Sequence, residues 1–176
     1  MKTQTQTTRV YFADLSAYNN GFLHGVWCGV TDDVDDIREQ IQTMLAASPV
    51  PNAEEYAIHD FEGFEGIPIE EYTPIEKVYE IAGLLEKYGP SYGCFADLQG
   101  LEYATEEAFE DAYHGGSWDS EEDFAYDWWE QSGLLASVPE ELQGYIDFER
   151  VARDMFIDGF MSARDSSGTL HVFSRV

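Results

Sequence analysis

Near the start of the chain lie two short, mostly apolar runs rich in β-branched and aromatic residues. RVYFA (9–13) and FLHGVWCGV (22–30) predict strands, with Asn19, Asn20 and Gly21 as turn material between them. The apolar period then changes. Val34, Ile37, Ile41, Met44 and Leu45 recur at helical spacing. Thr31 is placed to open this helix and cap its free N–H groups. Asp32, Asp33, Asp35 and Asp36 crowd the first turns, where the helix dipole favours negative charge. The helix is expected to stop near Ser48-Pro49-Val50-Pro51, because a proline disfavours helical geometry in the residue before it. EEYAIHDFEG (54–63) follows as a third strand, so residues 1–66 read as a small β-β-α-β unit.

Thr73-Pro74-Ile75-Glu76 predicts a helix start, with Thr73 as cap, Pro74 in the first helical position and Glu76 completing a capping box. Ile75, Val78, Tyr79, Ala82 and Leu85 form its apolar stripe, and Gly89-Pro90 ends it. The stretch 91–104 reads as helical in pieces, and Thr105 is a further cap. Residues 67–107 thus form a helical module. The run 109–118 fits either a strand or a helix, and Gly115-Gly116 favours strand. Ser120 is placed to cap EEDFAYDWWEQSG, with Phe124, Ala125, Trp128 and Trp129 on the core side and Glu122, Asp123, Asp127 and Glu130 on the other. Gly133 marks its end. Pro139 begins a short helical segment, 146–156 is a further helix, and 159–165 and 169–176 form a final strand pair around Ser166-Ser167-Gly168. Residues 108–176 are therefore a second mixed α/β module. The expected class is α+β: three small domains in the order mixed, helical, mixed.

Charge changes the picture. The 176 residues carry 35 acidic and nine Lys or Arg side chains, a formal charge of −26. Disordered acidic chains are poor in aromatics. This one has eleven Tyr, eleven Phe and four Trp, enough to bury a core. Between Lys87 and Arg150 lie 62 residues with 16 carboxylates and no Lys or Arg; between Arg38 and Lys77 lie 38 residues with nine. Surfaces of one sign repel themselves and oppose compaction. Direct binding to nucleic acid or to an anionic membrane is excluded, since both need clustered cations. No apolar run reaches the roughly 18–20 residues of a spanning helix. The polar N-terminus lacks an apolar signal core, so a cytoplasmic location is expected. Two cysteines, Cys28 and Cys94, read as reduced buried thiols.

Chemistry beyond charge is thin. Phosphate-loop and dinucleotide motifs are missing from the sequence. The Asp32–Asp36 cluster lacks the glycine and terminal Glu of a calcium loop. His24 and Cys28 share a strand face but are too few for zinc, and His59, His114 and His171 are scattered. No metal, cofactor or catalytic residue is expected. Phe160, Met161, Val172 and Phe173 on the terminal strands supply either a dimer face or core. The acidic surface admits three readings: a solvated exterior, a docking face for a basic protein, or carboxylates standing in for DNA phosphates. A dimer would carry twice −26, matching the phosphates of about 26 base pairs.

Three segments carry a resemblance: VYFADLSAYNNGFLHGVW, then EEYAIHDFEG with EEYTPIEKVYEIA, and finally SVPEELQGYIDFERVARDM. In order and spacing the chain resembles the ArdA antirestriction family from about Arg9 onward. The resemblance implies a protein of mobile genetic elements that mimics bent B-DNA and occupies the DNA groove of type I restriction–modification enzymes. It also implies an elongated monomer of three small domains, paired as a homodimer through the C-terminal one. An acidic module for another basic DNA-binding partner is the alternative. The expected contact residues are Asp32, Asp33, Asp35, Asp36 and Glu39 in the first module, and Glu70, Glu71, Glu76 and Glu80 in the second. In the last stretch they are Glu106, Glu107, Glu110, Asp111, Asp119, Glu121, Glu122, Asp123, Asp127, Glu130, Glu140 and Glu141.

Overall fold

The computed structural model describes residues 8–30 and 33–175. Secondary structure is mixed, with two separate three-stranded antiparallel sheets. The chain divides into two compact units, residues 1–89 and 90–176, a division that cuts the expected helical module 67–107 at Gly89.

In the first unit, β1 (Arg9–Asp14) is the central strand, flanked by β2 (Gly25–Gly29) and β3 (Tyr56–Glu62). Alternation sorts its side chains. Val10 and Phe12 are fully buried, while Tyr11 lies on the opposite face against Trp27, with the Arg9 guanidinium 4.7 Å from the indole centre. The β1–β3 ladder slips between Tyr11 and Phe12, so His59 is an extra residue in β3. Its ring packs edge-on against Tyr18, as a packing residue rather than a base.

Between β1 and β2 runs a short helix that the sequence pattern does not announce, α1 (Leu15–Asn19). It is capped by Asp14, whose carboxylate accepts the Ala17 N–H at 3.0 Å. Phe22 and Leu23 precede β2 and are exposed, so that strand is shorter than the apolar run suggests. α2 (Val34–Ala46) buries Ile37, Ile41, Met44 and Leu45. Its cap is Asp33, whose side chain accepts the Asp35 N–H at 3.0 Å. Thr31, expected to cap this helix, lies outside the described residues.

α3 (Ile75–Tyr88) buries Ile75, Val78, Ile81, Ala82, Leu84 and Leu85. Tyr79, expected in its apolar stripe, is exposed. Its start also departs from expectation. Pro74 occupies the capping position itself, and the Thr73 hydroxyl accepts the Glu70 N–H at 3.0 Å instead of capping. Gly89 ends the helix at φ +65, a conformation that needs no Cβ.

The second unit opens with α4 (Pro90–Gln99), one continuous helix rather than pieces. Pro90 begins it, where a missing N–H costs nothing. Ser91 to Ala96 are all buried, so no polar stripe marks it in the sequence. α5 (Glu106–Ala112) is capped by Thr105, whose hydroxyl accepts the Ala108 N–H. The strand expected over 109–118 is therefore half helix, and β4 covers only Tyr113–Trp118.

α6 (Glu121–Gln131) is capped by Ser120, whose hydroxyl accepts the Asp123 N–H at 3.1 Å. A short 3-10 turn at Leu135–Ser137 and α7 (Glu140–Gln143) lead to α8 (Phe148–Asp158). β5 (Phe160–Arg164) and β6 (Leu170–Ser174) close the chain in the order β4-β6-β5.

Alternation along β6 builds two cores. Leu170 and Val172 meet Phe124, with Trp118, Met155, Phe156 and Phe160 packed around them. Phe173 points the other way, into a stack of Phe95, Phe109 and Tyr113. Val172 and Phe173 are fully buried within the chain and Met161 is 8% exposed, which makes them core rather than outer face. Both cysteines are buried.

Candidate partner-binding surface

Helix periodicity decides where the carboxylates go. An apolar stripe turns toward the core, and positions three and four residues apart on the opposite side turn outward together. Of the expected contact residues, Asp33, Asp35, Asp36, Glu39, Glu70, Glu71, Glu76, Glu80, Glu106, Glu107, Glu110, Asp111, Asp119, Glu122, Asp123, Glu130, Glu140 and Glu141 are exposed. Asp32 lies outside the described residues.

Two others are half-buried and held by the fold. Asp127 accepts the Trp118 indole N–H at 2.7 Å, and Glu121 accepts the Ser162 hydroxyl at 2.7 Å. Asp127 therefore sits at the edge of the aromatic core rather than on the outer acidic face. The reason is Trp118: its ring packs edge-on against Phe124 at 4.8 Å, and its N–H needs an acceptor there. Trp128, expected inside, is 38% exposed.

Cations are few and mostly committed. Arg38 pairs with Asp35 at 2.8 Å and with Glu76, bridging α2 and α3. The Asp35 hydrogen bond, joined by the Glu76 and Asp35 charges, holds its proton more tightly than usual and outweighs desolvation. Lys77 pairs with Glu80 at 3.1 Å, Arg9 with Glu62 at 2.7 Å and Arg153 with Asp154 at 3.5 Å. Arg164 donates to the backbone carbonyls of Gly168 and Asp119. Among the described residues, no Lys or Arg makes an ion pair with Asp36, Glu39, Glu122, Glu130, Glu140 or Glu141. Crowding is felt locally: the neighbouring Glu71 charge pushes the exposed Tyr72 phenol upward.

Exposed carboxylates outside the expected set include Glu54, Glu55, Glu65, Glu86, Asp97 and Glu102. Glu86 lies on α3, clear of its buried stripe; the others sit in loops or near a helix end, where periodicity gives no signal.

The titratable groups that depart most from ordinary behaviour lie inside. Burial pushes the Asp165 carboxyl up, but hydrogen bonds from Ser167, His171 and the Thr169 and Ser167 N–H groups outweigh it and hold the pKa down to about 2. This carboxylate closes the β5–β6 turn and orients His171, whose other nitrogen lies 3.0 Å from the Tyr113 hydroxyl. Burial lowers His114 and raises Tyr113. These groups knit the second sheet together. Among the described residues no three His, Cys, Asp or Glu side chains converge as a metal site requires, and no helix is long and apolar enough to cross a membrane.

Fold and surface together define a class: a strongly acidic α+β protein whose helices carry carboxylates outward over an aromatic core. The family model described as antirestriction protein (ArdA) matches residues 10–167. The chain belongs to the ArdA family of antirestriction proteins. No curated protein matches it.

Proposed function

We propose that this antirestriction protein acts as a B-DNA mimic and inhibits type I restriction–modification enzymes by occupying their DNA-binding groove. The observation that carries the reading is the charge density of its helices. α6 spans about 16 Å at 1.5 Å per residue. It carries five carboxylates and no cation; Glu122, Asp123 and Glu130 face outward, while Glu121 and Asp127 are held by Ser162 and Trp118. The outward three alone give one charge per about 5 Å of axis, of the same order as the 3.4 Å of one strand of B-DNA. α5 adds Glu106, Glu107, Glu110 and Asp111, and α7 adds Glu140 and Glu141.

Lys and Arg side chains that grip phosphates in the enzyme would meet carboxylates here, with charge-assisted hydrogen bonds that suit Arg best. No base edges are offered, so enzymes of different recognition sequence are inhibited alike. Three small modules, paired through residues 108–176 as a homodimer, belong to the same proposal, since a doubled chain covers more of a DNA channel than one copy does.

The test is displacement. A labelled duplex bound to a purified type I enzyme is expected to be released stoichiometrically by the protein, whatever the duplex sequence. Raising salt from 50 to 200 mM is expected to weaken inhibition at least about tenfold, in the manner of phosphate contacts. Single Glu→Gln changes among the exposed set are expected to cost little. Neutralising Asp35, Asp36, Glu39, Glu107, Glu122, Glu130, Glu140 and Glu141 together is expected to abolish it. Binding that duplex DNA fails to reverse would favour a docking module for another surface of a basic partner.

A further inference from the structure

One groove on the first unit differs from the rest of the acidic surface. It lies between α2 and β2 and has a volume of about 730 Å³. Val26, Met44 and Ala47 contribute apolar surface to it, and Asp36 and Glu39 line it from α2. The two carboxylates are three residues apart and therefore adjacent on one helix face. The only cation of α2, Arg38, is committed to Asp35 and Glu76. His24 forms part of the wall; its Nε2 lies 2.7 Å from the Met44 carbonyl, which can only accept, so the ring is fixed as an N–H donor there.

We propose that this groove is a receptor for an arginine side chain of the protein's basic partner. An arginine joins a hydrocarbon stem to a planar, multiply donating head. The stem matches the Val26, Met44 and Ala47 surface, and the head can bridge Asp36 and Glu39. A bare carboxylate on a convex helix offers only the second half of that contact. The groove thus resembles in chemistry a DNA minor groove, which also draws Arg between negatively charged walls. The inference deepens the proposed function and rests on it for the partner's identity, but the receptor chemistry is testable without any enzyme.

The experiment is a ¹⁵N-amide NMR titration of the full chain with N-acetyl-arginine amide, its lysine counterpart, and the neutral isostere N-acetyl-citrulline amide. Saturable shifts at residues 24–26 and 36–47 are expected with arginine, weaker ones with lysine and none with citrulline. Two variants should remove them: D36N/E39Q, which discards the charge, and T43F, which fills the groove from an exposed position without altering charge. Unchanged amide positions elsewhere certify that each variant folds.

In the displacement assay, D36N/E39Q is expected to weaken inhibition at least about tenfold more than E140Q/E141Q, which removes equal charge from α7. Equal shifts across all acidic helices, an equal response to citrulline, or an unaltered T43F titration would overturn the receptor. A wild-type protein that duplex DNA does not displace would overturn the mimicry instead, while leaving the titration to decide the groove.

Discussion

Replacing Asp165 with Asn removes a charge at a place where the fold has arranged four hydrogen bonds for it. Oδ1 accepts the Ser167 and Thr169 N–H groups, both at 2.9 Å, and the Ser167 hydroxyl at 2.6 Å; Oδ2 faces His171 Nε2 at 3.1 Å. The side chain is only 8% exposed, so solvent screens these contacts little. The native pKa of about 2 lies below the ordinary value of 3.8. A group depressed in this way stabilises the fold fully above the ordinary value, and the contribution is lost as pH falls through the native one.

At about 1.36 kcal/mol per pK unit, the gap corresponds to about 2 kcal/mol at pH 5 and above, shrinking to under about 0.5 kcal/mol at pH 2. Asn keeps an acceptor for the turn but cannot titrate. Urea unfolding of wild type and D165N at pH 5, 3.5 and 2 is the assay. The difference between the two proteins cancels the self-repulsion of the other carboxylates, which also relaxes in acid. A wild-type advantage of about 2 kcal/mol at pH 5 that closes toward pH 2 is expected. An advantage that stays constant from pH 5 to pH 2, or is missing at pH 5, would refute the linkage.

Four further changes probe the second unit. Gly116→Ala would place a methyl 2.7 Å from His171 Nδ1 and 2.9 Å from its Cε1; a loss of about 1–3 kcal/mol is expected by thermal or urea unfolding. Ser120→Ala removes the cap of the most acidic helix, and a loss of about 1 kcal/mol with lower helicity by circular dichroism is expected. Asp127→Ala strands the Trp118 indole N–H and should cost about 1–3 kcal/mol of stability, visible also as a change in tryptophan fluorescence on unfolding. Glu122→Gln on the same helix is expected to leave stability within about 0.5 kcal/mol, which separates the carboxylate held by the fold from the exposed one.

Much of the secondary structure could be read from residue order, because the relevant signals are local. Ser120 before an acidic first turn and Val34, Ile37, Ile41, Met44 and Leu45 at helical spacing each identify an element from a few neighbours. Where reading failed, the deciding partner was distant or the usual contrast was lacking. α4 is buried almost all round from Ser91 to Ala96, so its sequence has no polar face to betray a helix. Thr73 looks like a cap, but the turn it closes with Glu70 takes its hydroxyl first. The 109–118 run changes from helix to strand at Tyr113, where pairing with Phe173, sixty residues on, captures the backbone.

The candidate surface divides in the same way. That the expected carboxylates on helices would mostly be exposed follows from amphipathic spacing, since a helix that buries one stripe must present the other; Asp33, Glu70, Glu71 and Asp119 lie outside the helices and owe their exposure to the loops that carry them. That Asp127 and Glu121 would instead be held by Trp118 and Ser162 depended on how α6 lies against β4 and β5. The α2–β2 groove was equally invisible: Val26 and Asp36 become neighbours only when the helix packs on the strand. Sign and amount of charge are properties of composition, and the direction in which each helix presents it is a property of periodicity; both are written in the chain. Whether two carboxylates share an apolar cleft, or one satisfies an indole, depends on packing between elements far apart in sequence, which only the folded structure fixes.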